Sequence, residues 1–246
     1  MDAKPQLVSP ASPIERLLKP GIGPQPVADG IATVLPPTER PADYDRIAGL
    51  YDLIVGNSLY NRLVWGNWPS RYAGAARRAV ETAKEGAVLD CACGSLCFTA
   101  GAYRTARPER MLLFDRSLGM LRRAQRRLPN GRFPQGDALA MPFADGVFQT
   151  TMAWGLLHIF EAGSPLLQEL RRVTAPGGQV FATGLALAGR SQGDGMLAQL
   201  HKRGEAAAPR RWEGMRDEFH SVFPGSRADL QGNMLLLEGK VPRPNA

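Results

Sequence analysis

A short apolar run that ends in an acid recurs along this chain. Residues 87–91 (Ala-Val-Leu-Asp-Cys) read as a buried strand with Asp90 near its end. Residues 111–115 repeat the pattern and close on Asp115, and a weaker run over 132–136 leads into Asp137. Two further strand-like runs follow at 147–153 and 179–183. Between them, residues 98–103, 119–128 and 166–173 carry helical periodicity. Ser164-Pro165 marks the start of the last of these, and Pro176-Gly177-Gly178 its end. An earlier helix is expected over 70–83, with Ser70 as N-cap. Strands that alternate with helices predict a mostly parallel sheet with helices on both faces. The chain closes differently. Runs at 227–231 and 234–240 are joined by Gly232-Asn233, the signal of an antiparallel hairpin.

Residues 1–42 are proline-rich and lack sustained periodicity, so they read as an irregular extension that wraps the domain or stays mobile. The domain itself is expected over 43–246. It begins with a helical pattern on Ile47, Leu50, Tyr51 and Ile54. Residues 185–216 are polar and glycine-rich, with one helix expected over 196–202, and form a candidate lid or substrate wall.

No apolar run approaches the roughly 20 residues of a membrane span, and the N-terminus lacks the apolar stretch of a signal peptide. A soluble, cytoplasmic protein is the expectation. The three cysteines, Cys91, Cys93 and Cys97, share one loop, with no fourth ligand nearby in sequence, so they read as reduced thiols and not as a metal site. The net charge of +7 favours anionic partners in principle. Arg122, Arg123, Arg126 and Arg127, however, lie opposite Leu118, Leu121 and Leu128 on one helix and read as a solvated face.

In an open parallel sheet, ligands bind beyond the carboxyl ends of the strands. Asp90, Asp115 and Asp137 all stand at or near such ends. Asp90 opens the turn Cys91-Ala92-Cys93-Gly94, whose small residues let a ligand approach the backbone. Asp115 follows at about the spacing of a ribose-binding acid, roughly 20 residues past the first turn. Neither G-x-G-x-x-G nor a Walker motif is present, so an adenosine-bearing ligand without pyrophosphate fits best. The alternative is that Asp90 and Asp115 only cap the loops that follow them.

These residues carry a family resemblance. Val88-Leu89-Asp90-Cys91-Ala92-Cys93-Gly94 resembles the first motif of class I S-adenosylmethionine methyltransferases, V-L-D-x-G-x-G-x-G. Gly136-Asp137-Ala138 with 141–148 resembles the adenine-binding segment of their type 11 group, related to ubiquinone and menaquinone methyltransferases. Glu169 to Gly178 is similar to the late E-x-x-R-V-x-x-P-G-G signature, and Tyr44-Asp45-Arg46-Ile47-Ala48 with Tyr51-Asp52 to the opening helix. The resemblance spans about residues 44–241. It implies a Rossmann-like, seven-stranded α/β sheet with S-adenosyl-L-methionine as cofactor. The turn Asp90, Cys91, Ala92, Cys93 and Gly94 would hold the methionine end. Asp115, followed by Arg116, would hold the ribose, and Asp137 with Ala138 the adenine. Met120 would pack on the ring and Tyr51 close over it. Trp154-Gly155-Leu156 would border the transferred methyl.

The resemblance implies methyl transfer to carbon or oxygen of a small-molecule acceptor. His158 is the candidate base if the acceptor must lose a proton. Trp65, Trp68, Trp154 and Trp212 offer an apolar, aromatic lining, or else ordinary core and surface positions. Two other readings remain. A nucleic-acid enzyme of this fold usually shows [DN]-P-P-[YF] where this chain has Ala153-Trp154-Gly155-Leu156, so no nucleic acid is expected. A non-catalytic binder is suggested by Ala92 and Leu96, which stand where glycines are usual. Leu96 is expected to narrow the space around the methionine end.

Overall fold

The computed structural model describes residues 15–28, 30–35, 55–105, 107 and 110–243. The opening helical pattern over 44–54, Tyr51 included, lies outside them. The strands are β1 Gln25–Ala28, β2 Ile31–Thr33, β3 Val88–Cys91, β4 Met111–Phe114, β5 Phe133–Gln135, β6 Phe148–Ala153, β7 Thr174–Leu185, β8 Arg227–Gln231 and β9 Met234–Lys240. The α-helices of four or more residues are α1 Pro69–Thr82, α2 Ala100–Tyr103, α3 Leu118–Arg127, α4 Ser164–Val173, α5 Ser191–Lys202 and α6 Trp212–Val222. A π-helical turn, Asn61–Trp65, precedes α1.

Six strands form one sheet in the order β4-β3-β6-β7-β9-β8. β3 pairs in parallel with β4 and β6, and β6 with β7. β9 runs antiparallel between β7 and β8, as the Gly232-Asn233 signal predicts. The expected seventh strand, β5, lies beside β4 through isolated bridges, Leu112 to Arg132 and Asp115 to Gln135. Pro134 sits in the middle of β5 and has no N–H to donate, which limits a continuous ladder there.

The expectation of an irregular segment over 1–42 is corrected at 25–33. β1 and β2 form an antiparallel hairpin around Gly30, and β2 pairs in parallel with β5. Ile31 anchors it at 2% exposure. Pro26 hides the pattern in the sequence but is tolerated on an edge strand. Upstream, the Lys19 N–H donates to the Pro142 carbonyl at 2.8 Å, and the Ala144 N–H to the Leu17 carbonyl at 2.9 Å. Gly136 lets the hairpin close, because a Cβ there would meet the Phe114 ring at 2.5 Å and Val34 at 2.8 Å.

Two helix assignments also change. α1 starts at Pro69 behind Trp68, with no side-chain cap, so Ser70 is not the N-cap. α6 is not expected from the sequence reading, yet it buries Met215, Phe219 and Val222 along one face. Its Glu218 accepts from the Ser164 N–H at 2.8 Å and hydroxyl at 2.7 Å, capping α4 from a distance. In the lid region the helix is longer than expected, Ser191–Lys202. No helix among the described residues is long and apolar enough to cross a membrane.

Glu169 and Arg172, three residues apart on α4, form an ion pair that also holds a loop. Arg172 pairs with Glu169 through Nε at 2.7 Å and Nη2 at 2.8 Å. It also donates to the Met141 and Phe143 carbonyls and to Asp145. Glu169 in turn accepts from the Met141 N–H at 2.9 Å. One ion pair thus pins the 141–145 loop to α4. Burial alone would raise the Glu169 pKa, but the bonds from Arg172 and Met141 hold it below the usual glutamate value. Replacing Arg172 with Ala strands a half-buried carboxylate and two carbonyls, and urea unfolding should show a loss of about 3 kcal/mol. In the wild type, the Glu169 contribution is present above the ordinary glutamate pKa. It is lost as pH falls through the depressed folded value, and the R172A variant should lack that slope.

Candidate functional site

β3 is flanked on both sides, so its carboxyl end delivers Asp90 to the middle of the sheet edge at 0% exposure. The Tyr103 hydroxyl on α2 donates to Asp90 Oδ2 at 2.6 Å. Trp154, just past β6, donates its Nε1–H to the same hydroxyl oxygen at 2.8 Å. The direction is forced, because an indole N–H can only donate. Asp90 Oδ1 is buried and has no hydrogen-bond partner among the described residues. Burial pushes the Asp90 pKa up to about 8; the Tyr103 bond pulls against this and the charge of Asp115 adds to it.

The following turn is left-handed at three alternate positions: Ala92 (φ 61°), Gly94 (φ 56°) and Leu96 (φ 60°). This is the conformation for which the motif normally supplies glycines. Here Ala and Leu adopt it at a cost of about 1–2 kcal/mol each. The turn is held by its neighbours. The Cys93 N–H donates to the Phe114 carbonyl at 3.0 Å, and the Gly94 N–H to Asp115 Oδ2 at 2.8 Å. Leu96, expected to narrow the space beside the turn, turns into the core instead. Its side chain is 2% exposed and belongs to the core cluster that includes Ala79, Ala100 and Met152. A Cβ on Gly94 would meet nothing within 4 Å, so the turn is open on that side. Cys91 and Cys93 are buried free thiols, and burial, with the nearby carboxylates, raises both pKa values.

Asp115 joins two elements. Besides Gly94, its Oδ1 accepts from the Ser117 N–H at 2.8 Å, while the Ser117 hydroxyl caps α3 at Met120. Met120 is 3% exposed on the first turn of α3. Asp137 Oδ1 accepts from the Leu139 N–H at 2.8 Å, and its Oδ2 pairs with Arg116 at 2.8 Å. Ala138 is half-buried beside it. Asp90, Asp115, Asp137 and the 91–94 turn therefore share one end of the sheet, as expected. The capping role weighed for Asp115 is real, and its side chain serves two loops at once.

On the opposite side, Trp154 meets Tyr72 edge-on at 6.5 Å and Phe181 at 6.3 Å, and Tyr72 stacks on Phe98 at 5.2 Å. The Gly155 N–H donates to the Thr183 hydroxyl at 2.6 Å, fixing the turn after β6 to β7. The four tryptophans do not gather into one pocket. Trp65 joins a small third core with Leu197 and Met234, Trp68 is exposed, and Trp212 packs on the opposite layer. His158 lines a separate small cavity with Leu185, Leu197, Pro209, Arg210 and Met215. Its Nδ1 is buried without a partner among the described residues, and burial lowers its pKa to about 4. It faces the 185–216 segment, in a cavity that none of Asp90, Asp115 and Trp154 lines. Tyr103, Tyr72 and Thr183 were not singled out in the sequence. No motif marks them, and their roles arise from contacts across the sheet.

Comparison with known proteins agrees with this geometry. Residues 88–178 match the family model described as a methyltransferase domain. The demethylmenaquinone methyltransferase of Parafrankia sp. (strain EAN1pec) is 34% identical over 163 residues, covering 58% of this chain and 61% of that protein. The chain spans between 54% and 61% of the length of the curated relatives compared. Geranyl diphosphate C-methyltransferase from Streptomyces coelicolor A3(2), solved with S-adenosyl-L-homocysteine, superposes with TM-score 0.55 at 14% identity, over 75% of this chain and 81% of that one. Phosphoethanolamine N-methyltransferase 2 from Haemonchus contortus superposes with TM-score 0.61 at 14% identity, over 82% of this chain and 58% of that one. At such identities the likeness is one of fold. Residues 88–178 thus match a methyltransferase domain, on a fold shared with solved S-adenosylmethionine-dependent methyltransferases. Within that class the segment is similar to the demethylmenaquinone methyltransferases.

The left-handed turn generates a test. Ala92→Gly relieves the φ penalty while adding chain entropy to the unfolded state, and thermal or urea unfolding should show a gain of about 0.5–1 kcal/mol. Leu96→Gly should instead lose about 2 kcal/mol, because the buried side chain outweighs the strain.

Proposed function

We propose that the protein is an S-adenosylmethionine-dependent methyltransferase that modifies carbon or oxygen of a small, apolar or aromatic molecule. The observation that carries this reading is the arrangement around the left-handed turn. Asp90 and Asp115 meet there, Asp137 stands at the same end of the sheet, and one buried oxygen, Asp90 Oδ1, lacks a partner among the described residues. An unpartnered buried carboxyl oxygen beside a second carboxylate favours a cationic ligand over a phosphate. The cofactor's ammonium group suits Asp90, its ribose hydroxyls suit Asp115, and its adenine suits Asp137, Ala138 and Met120. The cofactor supplies the methyl group and its own leaving group.

The chain's task is then orientation and exclusion of water. Trp154, 9% exposed and wedged among Tyr72 and Phe181, walls the acceptor side with aromatic surface. The demethylmenaquinone methyltransferase relatives support an acceptor with an apolar ring system. His158, neutral at pH 7 by its lowered pKa, is the candidate base; its cavity is separate from the turn, so this role requires an acceptor that extends past Trp154 into it. A cytoplasmic enzyme is consistent with this assignment.

Calorimetric titration with S-adenosylhomocysteine tests the reading. Micromolar binding is expected, weakened at least about tenfold in Asp115→Ala by loss of a charged hydrogen-bond acceptor. Asp115→Asn, which keeps one acceptor oxygen for the backbone, controls for loss of the turn. No binding by the folded wild type would remove the cofactor assignment. If binding holds, transfer of radiolabelled methyl to a soluble demethylnaphthoquinol tests the acceptor class.

A further inference from the structure

Tyr103 is a fully buried phenol on a four-residue helix, and the cofactor reading gives it no task. Its oxygen lies 2.6 Å from Asp90 Oδ2 and 2.8 Å from Trp154 Nε1. Trp154 has only a hydrogen to give, so the phenol accepts from it and directs its single proton to Asp90. The three side chains come from β3, α2 and the turn after β6. They link the carboxylate at the cofactor turn to the aromatic wall on the acceptor side.

We propose that Tyr103 is a positioning residue: it holds the Asp90 carboxylate with Oδ2 satisfied and Oδ1 open to the cofactor's ammonium group, and ties it to Trp154. This rests on the cofactor reading above. Any buried phenol needs a partner; this one has a donor on one side and the motif carboxylate on the other. Here each of the two bonds is short, buried and fixed in direction. The bond to Oδ2 also leaves one oxygen, and only one, for a ligand.

The surroundings of Asp90 set the proton balance. Asp115 from β4 adds negative charge, and Cys91 and Cys93 stay protonated beside it. β6 contributes Met152, whose sulfur lies 3.6 Å from the Tyr103 oxygen, and α1 presents Ala75, Ala76 and Ala79. Tyr103 is therefore the hydrogen-bond donor that favours the ionised carboxylate. Without ligand, Asp90 carries a proton at pH 7; a bound ammonium expels that proton to the buffer.

The experiment is calorimetry with S-adenosylhomocysteine from pH 6 to 9.5, in pairs of buffers that differ in ionisation enthalpy. In the wild type, close to one proton should leave per ligand bound at pH 7, and Asp90→Asn should abolish that release. Tyr103→Phe removes the donor and should move the pH midpoint of affinity up by about one unit, roughly a tenfold loss at pH 7. Wild type and variant should converge at the alkaline end. The ligand's own ammonium titration is common to both and cancels in the comparison. Trp154→Phe should shift the midpoint the same way by less, and it carries the test if Tyr103→Phe does not fold. An unshifted profile, or a loss equal at every pH, would overturn the proposal while leaving the cofactor reading intact. Absence of binding by the wild type would remove both.

Discussion

A carboxylate held out of water at the centre of a sheet edge is the constraint that organises this molecule. Asp90 is wholly buried because β3 has neighbours on both sides and α1 and α2 cover it. A buried ion of this kind costs several kcal/mol unless it is paired. The structure pairs only half of it, through Tyr103, and leaves the other oxygen open. With a pKa raised to about 8, the ionised form opposes folding more and more as pH rises from the ordinary carboxylate range toward 8. Such a group persists where a ligand supplies what the fold withholds. A cation does this, and the negative charge of Asp115 nearby favours it further.

The rest of the site is built to keep that edge in place. Asp115 bonds backbone on both sides, so the 92–96 turn and the start of α3 move as one. The Arg172–Glu169 pair does the equivalent for the 141–145 loop, and residues 17–19 and β2 strap the same side. The Asp90–Asp115 side is therefore supported by polar bonds from distant parts of the chain. The side around Trp154 is made differently, from aromatic packing against Tyr72 and Phe181.

This division explains what was legible in the sequence. The five strand-like runs from 87 to 183, the C-terminal hairpin and the three strand-end acids are written in local patterns, and the structure has them where they were expected. The turn kept its left-handed path although Ala92 and Leu96 replace glycines, because backbone bonds from Phe114 and Asp115 over-determine it. What was missed depends on contacts across the fold. The β1–β2 hairpin is stable only against β5, and α6 becomes evident from Met215, Phe219 and Val222 once α4 needs a partner. Ser164 looked like part of a local cap, yet its partner is Glu218 on another helix. Tyr103 belongs to no motif; only folding brings it between Asp90 and Trp154.

The most direct test is a crystal structure with S-adenosylhomocysteine bound. The ligand's ammonium nitrogen should lie within about 3 Å of Asp90 Oδ1, with Tyr103 still on Oδ2 and the ribose against Asp115. An ammonium group held elsewhere, with Asp90 Oδ1 still unpartnered, would contradict the account.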